Sequence, residues 1–419
     1  MESFIIMKDH EIKNKASIIL IACVLFNLSI GVLYSWSVLK SRLILPIADG
    51  GYGWISSQAG LPYTVAIVFF AISLLIGGRI QDKIGPRWVI TTGGALVGLG
   101  LILSGFAGNS VMGMTICFGV IAGTGMGFGY GCATPPALKW FHASKKGIVS
   151  GLVVSGFGLS AVIYAPLTNA LLNSYGIENT LICIGTGALI ISVSFAQLIN
   201  NPPSDYIPAG PVKIEQSAKN LISTDSGWSE MIGTKRFRLI FLMFLLASSV
   251  GLMVIGSMTK IAEIQVGIKS TMLLSIIVSF LAITNSLGRV VGGLVSDKIG
   301  RINALFMVLS MQMLNMAAFA FYRNLPALFL GIILVGFCYG TIISVMPVLC
   351  ADLYGLKNFG LNYGILFLAW GFAGVIAPPI SDFFYDKTGS FNTTYIICAI
   401  MMGSMVYVNY LLKKDIERR

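Results

Sequence analysis

The sequence predicts an all-α integral membrane protein of twelve transmembrane helices in two six-helix halves, and three observations predict it. Of 419 residues 56% are hydrophobic and only 11% charged, with a mean hydropathy of +0.84; a soluble chain of this length needs more charged surface than that. Apolar stretches of about 20 residues, long enough to cross about 30 Å of hydrocarbon, occur twelve times. The pattern is also used twice. GGRIQDKIG from Gly77 returns as GGLVSDKIG from Gly292, and Gly147, Gly151, Gly158 and Pro166 return at one constant spacing as Gly360, Gly364, Gly371 and Pro379.

The formal charge of +11 suggests an anionic partner such as nucleic acid until its distribution is considered. With twelve spans and both termini inside, twenty-one of the 28 Lys and Arg residues fall in cytoplasmic segments, six fall on the opposite side, and Arg289 is left within a span. That bias is the positive-inside rule, so the basic balance reports topology and no nucleic-acid surface is expected. The seven cysteines lie within or at the ends of apolar stretches without CxxC spacing, and read as small packing residues. Two histidines, His10 and His142, offer little to His-based catalysis. No nucleophile and base pair stands out, so neither an enzyme nor a cofactor or metal site is expected.

Taken in order, the first span covers about 16 to 43 and carries Asn27, Tyr34, Ser35 and Trp36 in its second half, residue types that within a span face protein or a cavity more than lipid. The second covers about 54 to 80, and DKIGPR turns the chain into a third ending near Ala107. The fourth, about 111 to 138, contains Gly123, Gly127 and Gly131 on one face and Gly125 and Gly129 on another. Such stripes let helices approach closely, and Pro135 and Pro136 are expected to end or kink this span. The fifth, about 147 to 172, includes GFGLSA, which matches GxGxxA formally but has no preceding strand and no following acidic residue, so it reads as helix packing. The sixth covers about 179 to 199. Residues 1–199 are thus expected to form an N-terminal six-helix bundle, 200–234 a polar cytoplasmic linker, and 235–419 a C-terminal six-helix bundle. GWSEMIGTKRFR at the linker's end has the pattern of an interfacial amphipathic helix. Spans seven to twelve are placed at about 237–263, 270–296, 302–322, 326–351, 359–385 and 391–412.

Parallel six-span repeats are one arrangement by which secondary transporters alternate access to a site near the midplane. Gly78-x-x-x-Asp82-Lys83-x-Gly85-x-Arg87 resembles the loop motif of the major facilitator superfamily, and Gly293-x-x-x-Asp297-Lys298-x-Gly300-Arg301 resembles a second copy of it. The resemblance implies the major facilitator fold and a gate in which Asp82, Lys83, Arg87, Asp297, Lys298 and Arg301 take part. More specifically, GVLYSWSVL from Gly31, GYGCATPPALKWF from Gly129, the run from Lys145 to Ala161, WSEM from Trp228 and NYG from Asn362 resemble the oxalate/formate antiporter family and its relatives, the monocarboxylate transporters, among them bacterial and archaeal lactate transporters. The likeness spans nearly the whole chain. Oxalate exchangers of that family carry a lysine in the eleventh span, where this chain has Trp370. Animal monocarboxylate transporters carry an aspartate four residues before the eighth-span arginine and a lysine in the first span, where this chain has Asn285 and Val38.

Arg289 itself is the strongest pointer to function. A charge at the bilayer centre costs about 2.5 to 3.5 kcal/mol on insertion scales, and at about 1.5 Å per residue Arg289 lies about 12 Å inside the end marked by Asp297. Snorkelling mainly serves side chains near helix ends. No Asp or Glu lies deep in any span, so a carboxylate from the substrate is the expected counter-charge, held bidentately. Asn285, four residues earlier, shares the face of Arg289. Tyr130 and Tyr339 each precede a glycine in comparable spans, and together with Tyr34, Val38 and Trp370 complete the candidate substrate-binding set. For each aromatic, packing against a neighbouring helix is an equal alternative.

The expected activity is secondary active transport of a small monocarboxylate such as L-lactate by alternating access. One buried cation suits one carboxylate, which argues against a dianion. Proton symport is expected, the proton travelling with the substrate or through water because arginine does not deprotonate. The expected setting is the plasma or inner membrane, multi-pass, with both termini cytoplasmic, a single copy sufficing. Two alternatives stand beside this reading: an exchanger of mono- or dicarboxylates, and a transporter-like carboxylate receptor, of which a large reporting domain is expected.

Overall fold

The computed structural model describes residues 2–203, 206–208 and 225–417. Among these the regular structure is entirely helical. The spans, labelled in chain order, are α1 (Lys15–Ile44), α2 (Ser56–Ile84), α3 (Pro86–Phe106), α4 (Val111–Trp140), α5 (146–175) and α6 (177–196), α7 (Lys235–Val266), α8 (Thr271–Ile299), α9 (Arg301–Phe319), α10 (Leu325–Tyr354), α11 (Phe359–Thr388) and α12 (Asn392–Glu417). The separation of α5 from α6 rests on one residue. Gly176 has φ 72° and ψ −177°, a conformation open to glycine because it lacks a Cβ, and it divides an otherwise continuous helical stretch into two spans.

The protein forms two compact units, Met1–Val212 with Phe359–Leu361, and Lys213–Asn358 with Asn362–Arg419. In the first unit the two glycine faces of α4 meet different helices. A Cβ on Gly123 would lie 2.8 Å from the Ala66 Cα, and Gly127 and Gly131 meet Phe70, Ser73 and Leu74, so this face abuts α2. Gly125 instead meets Gly93 and Val97 of α3, and Gly129 meets Phe26 and Ile30 of α1. The GFGLSA run packs α5 on α1: Gly156 lies against Val24, and Ser160 Oγ donates to the Gly31 carbonyl at 2.6 Å. These contacts exclude a dinucleotide loop there.

Two irregularities interrupt the helices of this unit. Gly31–Ser35 is a 3-10 turn inside α1, and the carbonyls of Ser29 and Gly31 accept from the Tyr164 and Ser160 hydroxyls of α5. Side chains thus satisfy backbone groups at a depth where water is scarce. Thr115–Ala122 in α4 is π-helical. Pro135 and Pro136 do not end α4, which continues to Trp140; only two N–H donors are lost, and the indole of Trp140 is anchored by donation to the Asn200 carbonyl at 2.8 Å.

In the second unit the expected amphipathic helix is shorter than its pattern. Trp228–Gly233 forms one six-residue helix, and α7 begins afresh at Lys235 because Thr234 Oγ1 accepts from the Phe237 amide. Gln265 fixes the far end of α7. Its Nε2 donates to the carbonyls of Phe319 (2.6 Å) and Tyr322 (3.0 Å), and its Oε1 accepts from Tyr395 (2.8 Å), tying α7 to α9 and α12.

Candidate functional site

The centre of the second unit's chemistry lies on α8. Ser270 caps the helix by accepting from the Leu273 amide, and the helix closes at Gly300, φ 87°. Between them Arg289 is 1% and Asn285 5% exposed. The side chain of Arg289 leans toward the helix N-terminus, as helical side chains do, so its Nε donates to Asn285 Oδ1 at 3.0 Å. Asn285 carries no charge. The contact therefore orients the guanidinium without cancelling its charge.

Glycines bring α10 against this turn of α8. Gly288 and Gly292 on α8 face Phe337 and Thr341, while Gly336 and Gly340 on α10 face Thr284 and the Asn285 carbonyl; a Cβ on Gly340 would also lie 2.9 Å from the Arg289 amide nitrogen. Thr341 Oγ1 donates to the Gly288 carbonyl at 3.1 Å. The atoms in the way are backbone and cannot swing aside. Gly340→Ala is therefore expected to push α8 and α10 apart at a cost of about 1–3 kcal/mol, lowering the melting temperature of the purified protein and weakening anion binding together; a variant with unaltered melting and binding would show that this approach is not needed.

The residue before Gly340 joins a second pair. Tyr339 is 2% exposed, and its hydroxyl accepts from Trp370 Nε1 of α11 at 2.8 Å. Phe367 stacks on Trp370 with centroids 4.9 Å apart, and Gly251 on α7 makes room for the Tyr339 ring. Accepting from the indole orients the phenol, whose own proton then points away from Trp370.

In the first unit two of the sequence-predicted residues, Tyr34 and Tyr130, meet one that the set did not include. Phe157 of α5 meets Tyr34 at 5.4 Å, Tyr130 at 5.1 Å and Phe70 at 5.7 Å between ring centroids. Tyr130 is buried and Tyr34 half-buried. Val38, half-buried, follows Tyr34 beyond the 3-10 turn, and its carbonyl accepts from Ser41. Phe157 has no polar atom to single it out in a sequence. The glycines at 336 and 340 did carry a signal, the same four-residue spacing as those of α4.

Both copies of the loop motif engage their aspartates. Asp82 accepts from the amides of Gly360 (3.1 Å) and Leu361 (2.9 Å), residues that belong with the first unit, so it caps the first turn of α11. Arg87 donates from Nε and an Nη to Gln197 Oε1 at 3.0 and 2.7 Å. In the second copy Arg301 bridges Asp297 of its own motif and Asp352 of α10, at 2.5 and 3.2 Å. Lys83 and Lys298 are exposed. His/Cys/Asp/Glu groups able to hold a metal ion are absent among the described residues.

Known proteins resemble this chain along most of its length. The sequence model described as the Major Facilitator Superfamily matches residues 16–328 and 309–418. An uncharacterised MFS-type transporter of Escherichia coli, YhjX, is 28% identical over 85% of this chain and 85% of its own. The oxalate:formate antiporter of Oxalobacter formigenes is 27% identical over 92% of this chain and 88% of its own. Monocarboxylate transporter 13 of Rattus norvegicus is 22% identical over 90% and 84%. Among solved structures, the human organic anion transporter MFSD10 superposes with a TM-score of 0.73 at 14% identity, covering 95% of this chain and 99% of that one. The transporter FucP in its outward conformation gives 0.63 at 17% identity, covering 92% and 98%. At those identities the structures speak to the fold alone.

Proposed function

The chain belongs to the Major Facilitator Superfamily and is a multi-pass membrane transporter, and from that premise we propose that it carries small monocarboxylates such as L-lactate by alternating access, with Arg289 holding the anion. One observation carries the reading: a guanidinium 1% exposed, well inside a span, oriented by a neutral amide at 3.0 Å. A desolvated cation that a neutral neighbour positions is suited to pair with a carboxylate brought by the substrate. The relatives support the substrate class, since one is named for oxalate and formate and another for monocarboxylates. A single cation favours a single carboxylate. At the place where an oxalate exchanger carries a second cation, Trp370 supplies an indole already engaged by Tyr339.

Binding of the anion neutralises the site, and the neutralised protein changes the side to which it opens. Asn285 does not titrate, so a coupled proton moves with the substrate or through water, not on this residue. The cap that Asp82 places on α11 is the contact proposed to break and reform in that cycle. The proposed setting is the cell membrane, and the basic-residue distribution favours both termini in the cytoplasm. The likeness to the antiporter favours one second reading, an exchanger of mono- or dicarboxylates. Uptake of labelled lactate, acetate, formate and oxalate into proteoliposomes separates the two. Lactate is expected to accumulate when the outside is acidified, and oxalate is expected not to enter. Oxalate uptake that needs internal anion and ignores the pH gradient would establish the exchanger instead.

A further inference from the structure

We propose that Ser286 is a specificity-determining residue that selects a carboxylate bearing a hydroxyl on the carbon next to its carboxyl group; the inference rests on the anion site at Arg289 and deepens it. Ser286 precedes Arg289 by three positions, and Asn285 precedes it by four, so the two flank Arg289 on one side of α8. The Nε contact with Asn285 at 3.0 Å shows that the guanidinium folds back toward the turn that also carries Ser286. On this placement a carboxylate held by the guanidinium would present its neighbouring carbon toward the turn of Ser286.

The hydroxyl itself points to a ligand. Serines and threonines within helices ordinarily bond a carbonyl one turn back, and two on this helix do so: Thr284 donates to Leu281 at 3.0 Å and Ser296 to Gly293 at 2.8 Å. Ser286 does neither. It is 2% exposed, and its Oγ has no hydrogen-bond partner. A buried hydroxyl left without a partner destabilises the protein, so its retention beside a desolvated cation is explained when a ligand completes it. Oγ can both donate and accept, which suits a hydroxyl on the substrate. A methylene in the same place would leave Ser286 as it is, and the site would lose that increment of affinity.

L-lactate and propionate test this directly, since they share a carbon skeleton and differ by the one hydroxyl. Calorimetric titration of the purified full-length protein should show wild type preferring lactate over propionate. Ser286→Ala should reduce that preference about fivefold to tenfold, the size of one neutral hydrogen bond, and Ser286→Thr, which keeps a hydroxyl, should retain most of it. If Ser286→Ala leaves the ratio of the two dissociation constants at the wild-type value, the inference is wrong. The underlying anion site is tested separately by Arg289→Ala. Loss of both acids in that variant with an unchanged ratio in Ser286→Ala defeats only the role of Ser286. Binding of both acids that survives Arg289→Ala defeats the anion site, and this inference with it.

Discussion

Replacing Arg289 by alanine is expected to lower lactate uptake in proteoliposomes by at least about 100-fold, the largest effect of any single substitution in this protein. Hydrogen bonds to a charged group contribute about 1.5–3 kcal/mol each, and a bidentate guanidinium makes two of them with one carboxylate. Removing both therefore costs at least about 3 kcal/mol, and every 1.4 kcal/mol is about tenfold in affinity. Size-exclusion profiles and melting temperatures close to wild type would confirm that the loss is specific. Arg289→Lys separates charge from geometry. Lysine keeps the positive charge but loses the planar fork, so uptake should fall well below wild type while exceeding the alanine variant. Alanine and wild type transporting equally would remove Arg289 from the mechanism.

How much of this architecture can be read in the sequence depends on what fixes each part. The bilayer demands runs of about 20 apolar residues, and that demand is local, so the twelve spans are legible with ends displaced by a few residues. Helix proximity is legible where glycines repeat every fourth residue, as on α4. The turn at Gly31–Ser35 and the π-helical stretch at Thr115–Ala122 are not. Each shifts a hydrogen-bond register by one residue and leaves hydropathy unaltered, so the pattern of apolar residues does not register it. The short helix Trp228–Gly233 is hidden for a related reason, since Thr234 ends one helix and caps the next within a single amphipathic run.

Within the candidate site, the proximity of Asn285 to Arg289 follows from their spacing on one helix. The bond between Trp370 and Tyr339 joins α11 to α10, residues thirty-one apart in the chain, and spacing within a helix says nothing of it. Asp82 likewise accepts from the amides of Gly360 and Leu361, far along the chain, and nothing in the loop motif announces those partners. The orphaned hydroxyl of Ser286 is equally a tertiary fact, because a serine in a span says nothing of its partner until the surrounding helices are placed.

Asn285→Asp is the second substitution expected to act strongly, and it acts through charge at nearly constant shape. The new carboxylate would stand where Asn285 Oδ1 now stands, 3.0 Å from Arg289 Nε, and would pair with the guanidinium internally. A substrate carboxylate then has to compete with an anion tethered to the same helix, so affinity for lactate at neutral pH should fall by about tenfold or more. Lowering the pH changes the outcome in one direction only. Protonation of the introduced carboxylate removes the competing charge, restores the cation to the substrate, and adds one proton to the binding equilibrium, so affinity should rise as pH falls. Wild type has an amide at this position, and Asn285 adds no such dependence. Dissociation constants for lactate measured from pH 5 to pH 8 without a gradient, on both proteins, give the test. A variant that binds as wild type does at every pH would mean that Asn285 and Arg289 do not share the anion. A variant that gains the dependence would show that one amide sets the site apart from one that loads its own proton.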